Sequence, residues 1–277
     1  MSELRRQKAN LLRELHHRGT PLILPNVWDV ASARIIENAG YEAIATTSAG
    51  IAFSLGYPDG QKIPREEMLA RIARIARAVK VPVTADVEAG YGDRPEDAAE
   101  TARAVIEAGA VGMNLEDGTD DSDHPLVDVA LQLEKIRAVR EAALQSGVLL
   151  VLNARTDVYL AQVGATEMRY SESIKRALAY RDAGADCIFV PGLSDPETIR
   201  QLVEDVKCPV NVLAGLGSPS VPELEKLGVA RVSLGSGPMR ATLGLMKTLA
   251  EELKTAGTYN TLKGAPPHGD VNRMLEK

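Results

Sequence analysis

Three acidic residues stand at the ends of short β-rich runs: Asp86 and Glu88 in Ala85-Asp86-Val87-Glu88, and Glu116 in Asn114-Leu115-Glu116-Asp117. Asp86 and Glu88 are two apart, so an extended strand turns both side chains to one face. With Glu116 of the next run beside them, three carboxylates meet, and their repulsion raises at least one pKa unless a cation neutralises them. A hard divalent ion suits an all-oxygen site, Mg²⁺ first and Mn²⁺ as an alternative. Any one of these acids alone is as well explained by solvation or by an arginine on the rim; three at consecutive strand ends favour the metal.

Other polar residues fall at similar places. Arg155, in Asn153-Ala154-Arg155-Thr156-Asp157, has the charge and donors to steady an oxyanion or enolate; a salt bridge to Asp157 or Glu116 is the plainer alternative. Thr46, Thr47 and Ser48 offer hydroxyls and following amides to a substrate carboxylate, although such runs also form turns. Asn211, Arg240 and Trp28 complete the census as substrate-binding candidates, and the pocket shape around Trp28, Phe53, Tyr57 and Asn211 sets the substrate's side chain.

These positions need a scaffold that gathers strand ends. Eight β-rich runs occur, at Leu22–Leu24, Ala43–Thr47, Val83–Val87, Gly112–Glu116, Val148–Ala154, Cys187–Val190, Val210–Ala214 and Arg231–Leu234. Helical stretches such as Arg65–Val79, Pro95–Ala108 and Val127–Leu144 separate them, the first with its apolar stripe Ile72, Ile75, Ala76 and Val79. A small residue followed by glycine recurs before four runs, at Gly40, Gly109, Gly184 and Gly228, where a helix is capped and turned back into a strand. Val-Lys-x-Pro-Val leads into two runs, at Val79–Val83 and Val206–Val210. Eight strand–helix units predict a parallel (β/α)₈ TIM barrel over residues 1–256, with the active site at the C-terminal strand ends. An open doubly wound sheet is disfavoured: Pro25-Asn26-Val27-Trp28-Asp29 stands where a glycine-rich phosphate loop would follow the first strand.

Two stretches exceed a short connection. Ala49–Pro64 reads as a long loop of the kind that forms a lid. Residues 257–277 form a polar C-terminal extension, packed on a neighbouring subunit or partly disordered. The 277 residues, with 32 Lys and Arg against 38 Asp and Glu, give a net charge of −6, which leaves no basic stripe for nucleic acid. No apolar run has signal-peptide or membrane-spanning length, so no membrane partner and a cytoplasmic location are expected. The two cysteines, Cys187 and Cys208, read as buried thiols in a reducing compartment.

The strand-end segments resemble the isocitrate lyase/phosphoenolpyruvate mutase superfamily. The resemblance runs from Leu24-Pro25-Asn26-Val27-Trp28-Asp29 to Gly237-Pro238-Met239-Arg240-Ala241. Its most specific pieces are Ser54–Asp59, Ala85–Gly92, Asn114–Asp117 and Asn153–Asp157. It implies a Mg²⁺-dependent barrel acting on 2-oxo acids through an enolpyruvate-type species. Asp86 matches the principal metal-ligand position, with Glu88 and Glu116 supporting, largely through water. Asp59 matches the gating-loop aspartate, Arg155 the arginine that steadies the oxyanion, and Thr46–Ser48 the carboxylate-binding turn, where the family usually has serine and glycines. The resemblance also implies a homo-oligomer, a tetramer or a dimer, with the last helices exchanged between subunits.

The chain departs from the lyase branch after Glu116. That branch carries Lys-Lys-Cys-Gly-His, its cysteine serving as catalytic acid; here the loop reads Asp117-Gly118-Thr119-Asp120-Asp121-Ser122-Asp123-His124-Pro125. His124 falls near the missing cysteine, and an imidazole there could protonate an enolate, since the unperturbed histidine pKa lies near neutrality, although a histidine among loop aspartates is more often simply solvated. Asp-x-Glu also replaces the commoner Asp-x-Asp. The expected function is a lyase or decarboxylase acting on a small, oxaloacetate-like 2-oxo acid through an enolate. Alternatives are carbon–phosphorus chemistry on phosphoenolpyruvate or phosphonopyruvate, and a catalytically silent barrel that binds a 2-oxo acid. A phosphosugar barrel using Gly215–Ser218 and Gly235–Gly237 is weaker, and a Schiff-base aldolase is disfavoured because no lysine stands at a strand end.

Overall fold

A computed structural model describes residues 2–276. Its strands are β1 (Leu22–Leu24), β2 (Asn26–Val27), β3 (Ile44–Thr46), β4 (Val83–Ala85), β5 (Gly112–Glu116), β6 (Val151–Arg155), β7 (Cys187–Phe189), β8 (Val210–Leu213) and β9 (Arg231–Ser233). All pair in parallel, in the order β1-β9-β8-β7-β6-β5-β4-β3-β2. The count is nine rather than the expected eight because Pro25 splits the first barrel strand. Proline has no N–H to give a neighbour, so β1 bonds to β9 (Leu22↔Arg231) and β2 to β3 (Asn26↔Ala45). The split strand thereby joins the last strand to the second, and the sheet becomes a (β/α)₈ barrel.

Helices α2 (Val30–Asn38), α4 (Arg65–Ala78), α5 (Pro95–Ala108), α6 (Val129–Gln145), α7 (Thr166–Asp182), α8 (Pro196–Val206), α9 (Val221–Lys226) and α10 (Gly237–Thr255) follow the barrel strands in turn. The glycine that follows a small residue sits where helices end, as at Gly109, the left-handed C-cap of α5 with φ 98°. Helix α1 (Ser2–Leu15) buries Ala9, Leu12 and Leu15. A Cβ at Gly112, the first residue of β5, would lie 2.9 Å from Leu12, so α1 closes the barrel at the N-terminal ends of the strands.

Several expected boundaries move. The stretch Ala49–Pro64 is not loop throughout, because α3 (Ser48–Ser54) occupies its first part, capped by Thr47, whose side chain accepts from Gly50 N. Residues 55–64 keep the loop character. The third and fourth strands end earlier than expected, at Thr46 and Ala85, and the run after Val148 enters the sheet only at Val151. The C-terminal extension contains a 3₁₀ turn (Asn260–Leu262) and α11 (His268–Leu275), which contacts α2 of the same chain. Among the described residues, no helix is long and apolar enough to cross a membrane.

Candidate active site

A cavity of about 250 Å³ opens where the strands end, and Thr47, Ser48, Asp59, Asp86, Asn114, Arg155, Arg231 and Arg240 are among the residues that line it. Asp86 lies just past β4 and is 8% exposed. Its Oδ2 accepts hydrogen bonds from Ser48 N (3.0 Å) and Ser48 Oγ (2.9 Å), and its Oδ1 from Asn114 Nδ2 (3.2 Å). The Asp86 amide in turn donates to Thr46 Oγ1 at 2.9 Å. The Thr46–Ser48 run is thus largely engaged inside the protein: Thr46 and Ser48 fix Asp86, and Thr47 caps α3.

Glu88 reaches the site by a route that strand periodicity misses. The chain leaves the strand at Ala85, and Glu88 has φ 53°, in the left-handed region. A turn, not the pleat of an extended strand, brings its carboxyl inward, where it is 3% exposed. Glu88 Oε2 accepts from Gln61 N at 2.6 Å, while Oε1 is buried without a partner. Burial, together with the Asp86 and Asp59 carboxylates, pushes the Glu88 pKa up to about 8. Loss of solvent and the Asp86 carboxylate also hold Asp59 above the usual carboxylate range.

Glu116 and Arg155 face each other across paired strands, in register. Arg155 Nη1 lies 2.5 Å from Glu116 Oε2, and Arg155 Nε and Nη2 donate to Asp157 at 2.5 and 2.8 Å. Both ion pairs foreseen as alternatives for Arg155 are present, and its guanidinium also lies over the Phe189 ring at 5.8 Å. Burial pushes Glu116 well above the carboxylate range even with Arg155 opposing it.

Among the described residues, no three His, Cys, Asp or Glu side chains form a group able to hold a metal directly. Glu116 is engaged by Arg155, and Glu88 by the Gln61 amide. The donor set still fits a hydrated dication. Mg²⁺ commonly takes one or two carboxylates and keeps its other ligands as water. Asp86 meets only neutral donors, Glu88 has an orphaned buried oxygen, and burial and the neighbouring carboxylates push the pKa of both Asp59 and Glu88 upward.

The loop of residues 55–64 is drawn over this site. Tyr91 N donates to Gln61 Oε1 at 2.6 Å, and Lys62 Nζ reaches Asp120 Oδ2 at 2.6 Å. Three expected residues are placed differently. The His124 side chain is 83% exposed, 3.1 Å from Asp121, and lines a separate hollow of about 650 Å³ with Lys135 and Arg176. Asn211, 1% exposed, accepts from Ser233 Oγ at 3.2 Å and is not part of the cavity wall. Trp28 is partly buried against the core behind α3, and Arg240 stands on the exposed rim. Asn26, Asn114, Arg231 and Ser233 line the cavity without having been singled out. A polar residue at an inward position of an apolar strand was the available signal.

Comparison with known proteins agrees with this fold. The oxaloacetate decarboxylase of Pseudomonas putida is 34% identical over 226 residues, covering 78% of this chain and 73% of that protein. A solved structure from Burkholderia cenocepacia J2315 superposes with a TM-score of 0.93 at 42% identity, covering 99% of this chain and 98% of the other. Oxaloacetate acetylhydrolase bound to its product oxalate gives a TM-score of 0.85 at 27% identity, covering 97% and 93%. The family model described as phosphoenolpyruvate phosphomutase matches residues 12–254. With its barrel, its strand-end acids and this match, the chain belongs to the phosphoenolpyruvate phosphomutase family, within the isocitrate lyase/phosphoenolpyruvate mutase superfamily.

Proposed function

We propose that this protein is a divalent-metal-dependent lyase or decarboxylase that acts on a small, oxaloacetate-like 2-oxo acid. The observation that carries this function is that Asp59 and Asp86 line one cavity with Glu88 buried close to both, and that no cation among the described residues forms an ion pair with any of the three, so that negative charge accumulates where a barrel does its chemistry. Asp86 is the residue to hold the ion directly, with Glu88 and Glu116 contributing through water, and Mg²⁺ suits these oxygen donors better than a softer metal. Bound there, the ion would polarise the keto oxygen and stabilise an enolate as the carbon–carbon bond breaks.

The protein's own groups supply the rest. Ser48 and Asn114 hold Asp86 in one orientation, so the anchoring carboxylate needs no reorganisation. Arg155 is fixed by Glu116 and Asp157 at the cavity wall, where it steadies developing negative charge. The loop of residues 55–64 excludes water while docked, and its opening admits substrate. Arg240 on the rim and the Thr47–Ser48 turn are positioned to guide the substrate carboxylate. The name of the Pseudomonas putida relative supports oxaloacetate-like substrates.

The test is pyruvate release from oxaloacetate by wild type and Asp86→Ala, with and without EDTA. Activity undiminished by chelation and by the substitution would overturn the metal role. Carbon–phosphorus chemistry is the second possibility, supported by the description of the family model; phosphorus NMR after incubation with phosphonopyruvate separates the two. Helix α10 exposes Leu243, Leu245, Met246 and Leu253, which supports a homo-oligomer built on this helix and the C-terminal extension. Sedimentation of the full chain tests that.

A further inference from the structure

Three guanidinium groups line the cavity, and they are not equivalent. Arg155 is neutralised by Glu116 and Asp157, and Arg240 is on the exposed rim. Arg231 opens β9 and points into the barrel, 1% exposed. Its Nη2 makes a long contact of 3.4 Å with Asn114 Oδ1, and its Nε and Nη1 have no partner. No carboxylate among the described residues lies within ion-pair distance of it. The other well-buried arginines are all matched: Arg176 to Asp117 and Glu172, and Arg140 to Asp186.

A guanidinium does not shed its proton in a protein, so burial leaves it charged. An uncompensated buried charge is costly, and the groups around Arg231 do little to offset it. Asn26, Asn114 and Ser233 on the adjoining wall are neutral, and the carboxylate nearest by hydrogen bonding is Asp86, one amide away through Asn114. Once a dication sits on Asp86, that charge is spent as well. Arg231 would then be a second positive centre in the cavity, linked to Asp86 through the Asn114 side-chain amide.

We propose that Arg231 forms an anion subsite that takes the second carboxylate of a 2-oxo dicarboxylate, while the keto acid end faces Asp86. This subsite rests on the 2-oxo-acid function proposed above and narrows it: monocarboxylic 2-oxo acids leave Arg231 unpaired and are poorer ligands. Arg231 is thus a specificity-determining residue. Ser233, two residues further along β9 and lining the same cavity, offers an independent way to perturb it.

Calorimetry in saturating Mg²⁺ tests the subsite with two probes, oxalate, which occupies only the keto acid end, and 3,3-difluorooxaloacetate, which adds a distal carboxylate. Arg231→Gln is expected to weaken difluorooxaloacetate by roughly tenfold to a hundredfold, the range for a lost charged hydrogen bond, and to leave oxalate within about twofold. Ser233→Asp, which supplies an internal counter-charge, is expected to give the same selective loss with Arg231 retained, and so serves if Arg231→Gln fails to fold. Equal losses for both probes, or none for either, in a folded variant would overturn the proposal. Wild type binding oxalate but not difluorooxaloacetate would overturn the subsite alone, whereas wild type binding neither probe would overturn the 2-oxo-acid function with it.

Discussion

Asp86 and Asp117 both follow neighbouring barrel strands, β4 and β5, and both are buried. Asp117, fully buried, accepts from Tyr180 Oη (2.7 Å) and Arg176 Nη1 (3.0 Å) on one oxygen and from Asp157 N (2.8 Å) on the other. A cation already matches its charge, and it ties α7 to the barrel. Asp86 is held as firmly, but by Ser48 and Asn114, which carry no charge; no cation among the described residues forms an ion pair with it, and the acids Asp59 and Glu88 stand near. Burial and hydrogen bonding are therefore alike in the two places. What separates the structural carboxylate from the one we propose as a metal ligand is whether an ion-paired counter-charge is provided by the fold.

That contrast is open to experiment. Asp86→Ala should lower turnover by roughly 10³-fold, as for loss of a principal electrostatic group, while the melting temperature stays near wild type; a fully active variant would erase the distinction. Asp117→Ala should do the reverse. It strands the Arg176 guanidinium and should cost about 3–5 kcal/mol of stability, read by urea unfolding, with near-normal kcat in the folded fraction.

Ser48→Ala removes one hydrogen bond from Asp86 and should reduce apparent Mg²⁺ affinity by about 10- to 100-fold, the usual cost of losing a group that orients a ligand. Titration of the variant with Mg²⁺ measures this, and no change would mean that the Ser48 amide and Asn114 suffice to hold the carboxylate. Glu88 sharpens the comparison through pH. Its proton must leave before a cation is bound, so Mg²⁺ affinity should rise by up to about tenfold per unit as pH climbs toward 8, then level off. Glu88→Gln should flatten that profile. The smallest effect is expected at His124, whose exposed side chain touches only Asp121: His124→Ala should leave kcat/KM within about twofold, as for a surface change away from the site. A large loss would mean that the loop of residues 118–126 swings over the cavity during turnover.

The barrel was legible because its signals are local. Apolar runs alternating with amphipathic helices, and a glycine at helix ends as at Gly109, follow from chain sterics and the burial of one face of each element. The acids Asp86, Glu88 and Glu116 and the arginine Arg155 were legible too, since strand ends in a parallel barrel converge whatever the loops do. Alternation along a strand nevertheless placed Glu88 for the wrong reason, because the left-handed turn at that residue is a non-local outcome of packing against the loop at Gln61. The helix within Ala49–Pro64 escaped notice because Ser48–Ser54 is short and lies among small residues and glycine.

The sequence by itself determined the order of elements, the closed parallel architecture and the set of acidic and basic groups at its mouth. These depend on periodicity and residue type, which a linear chain displays. Tertiary structure alone decided how the charges are shared: Arg155 is claimed by Glu116 and Asp157, Arg176 by Asp117, and Arg231 by nothing. Ion pairing depends on distances of a few ångströms between residues far apart in the chain, and no local pattern encodes them.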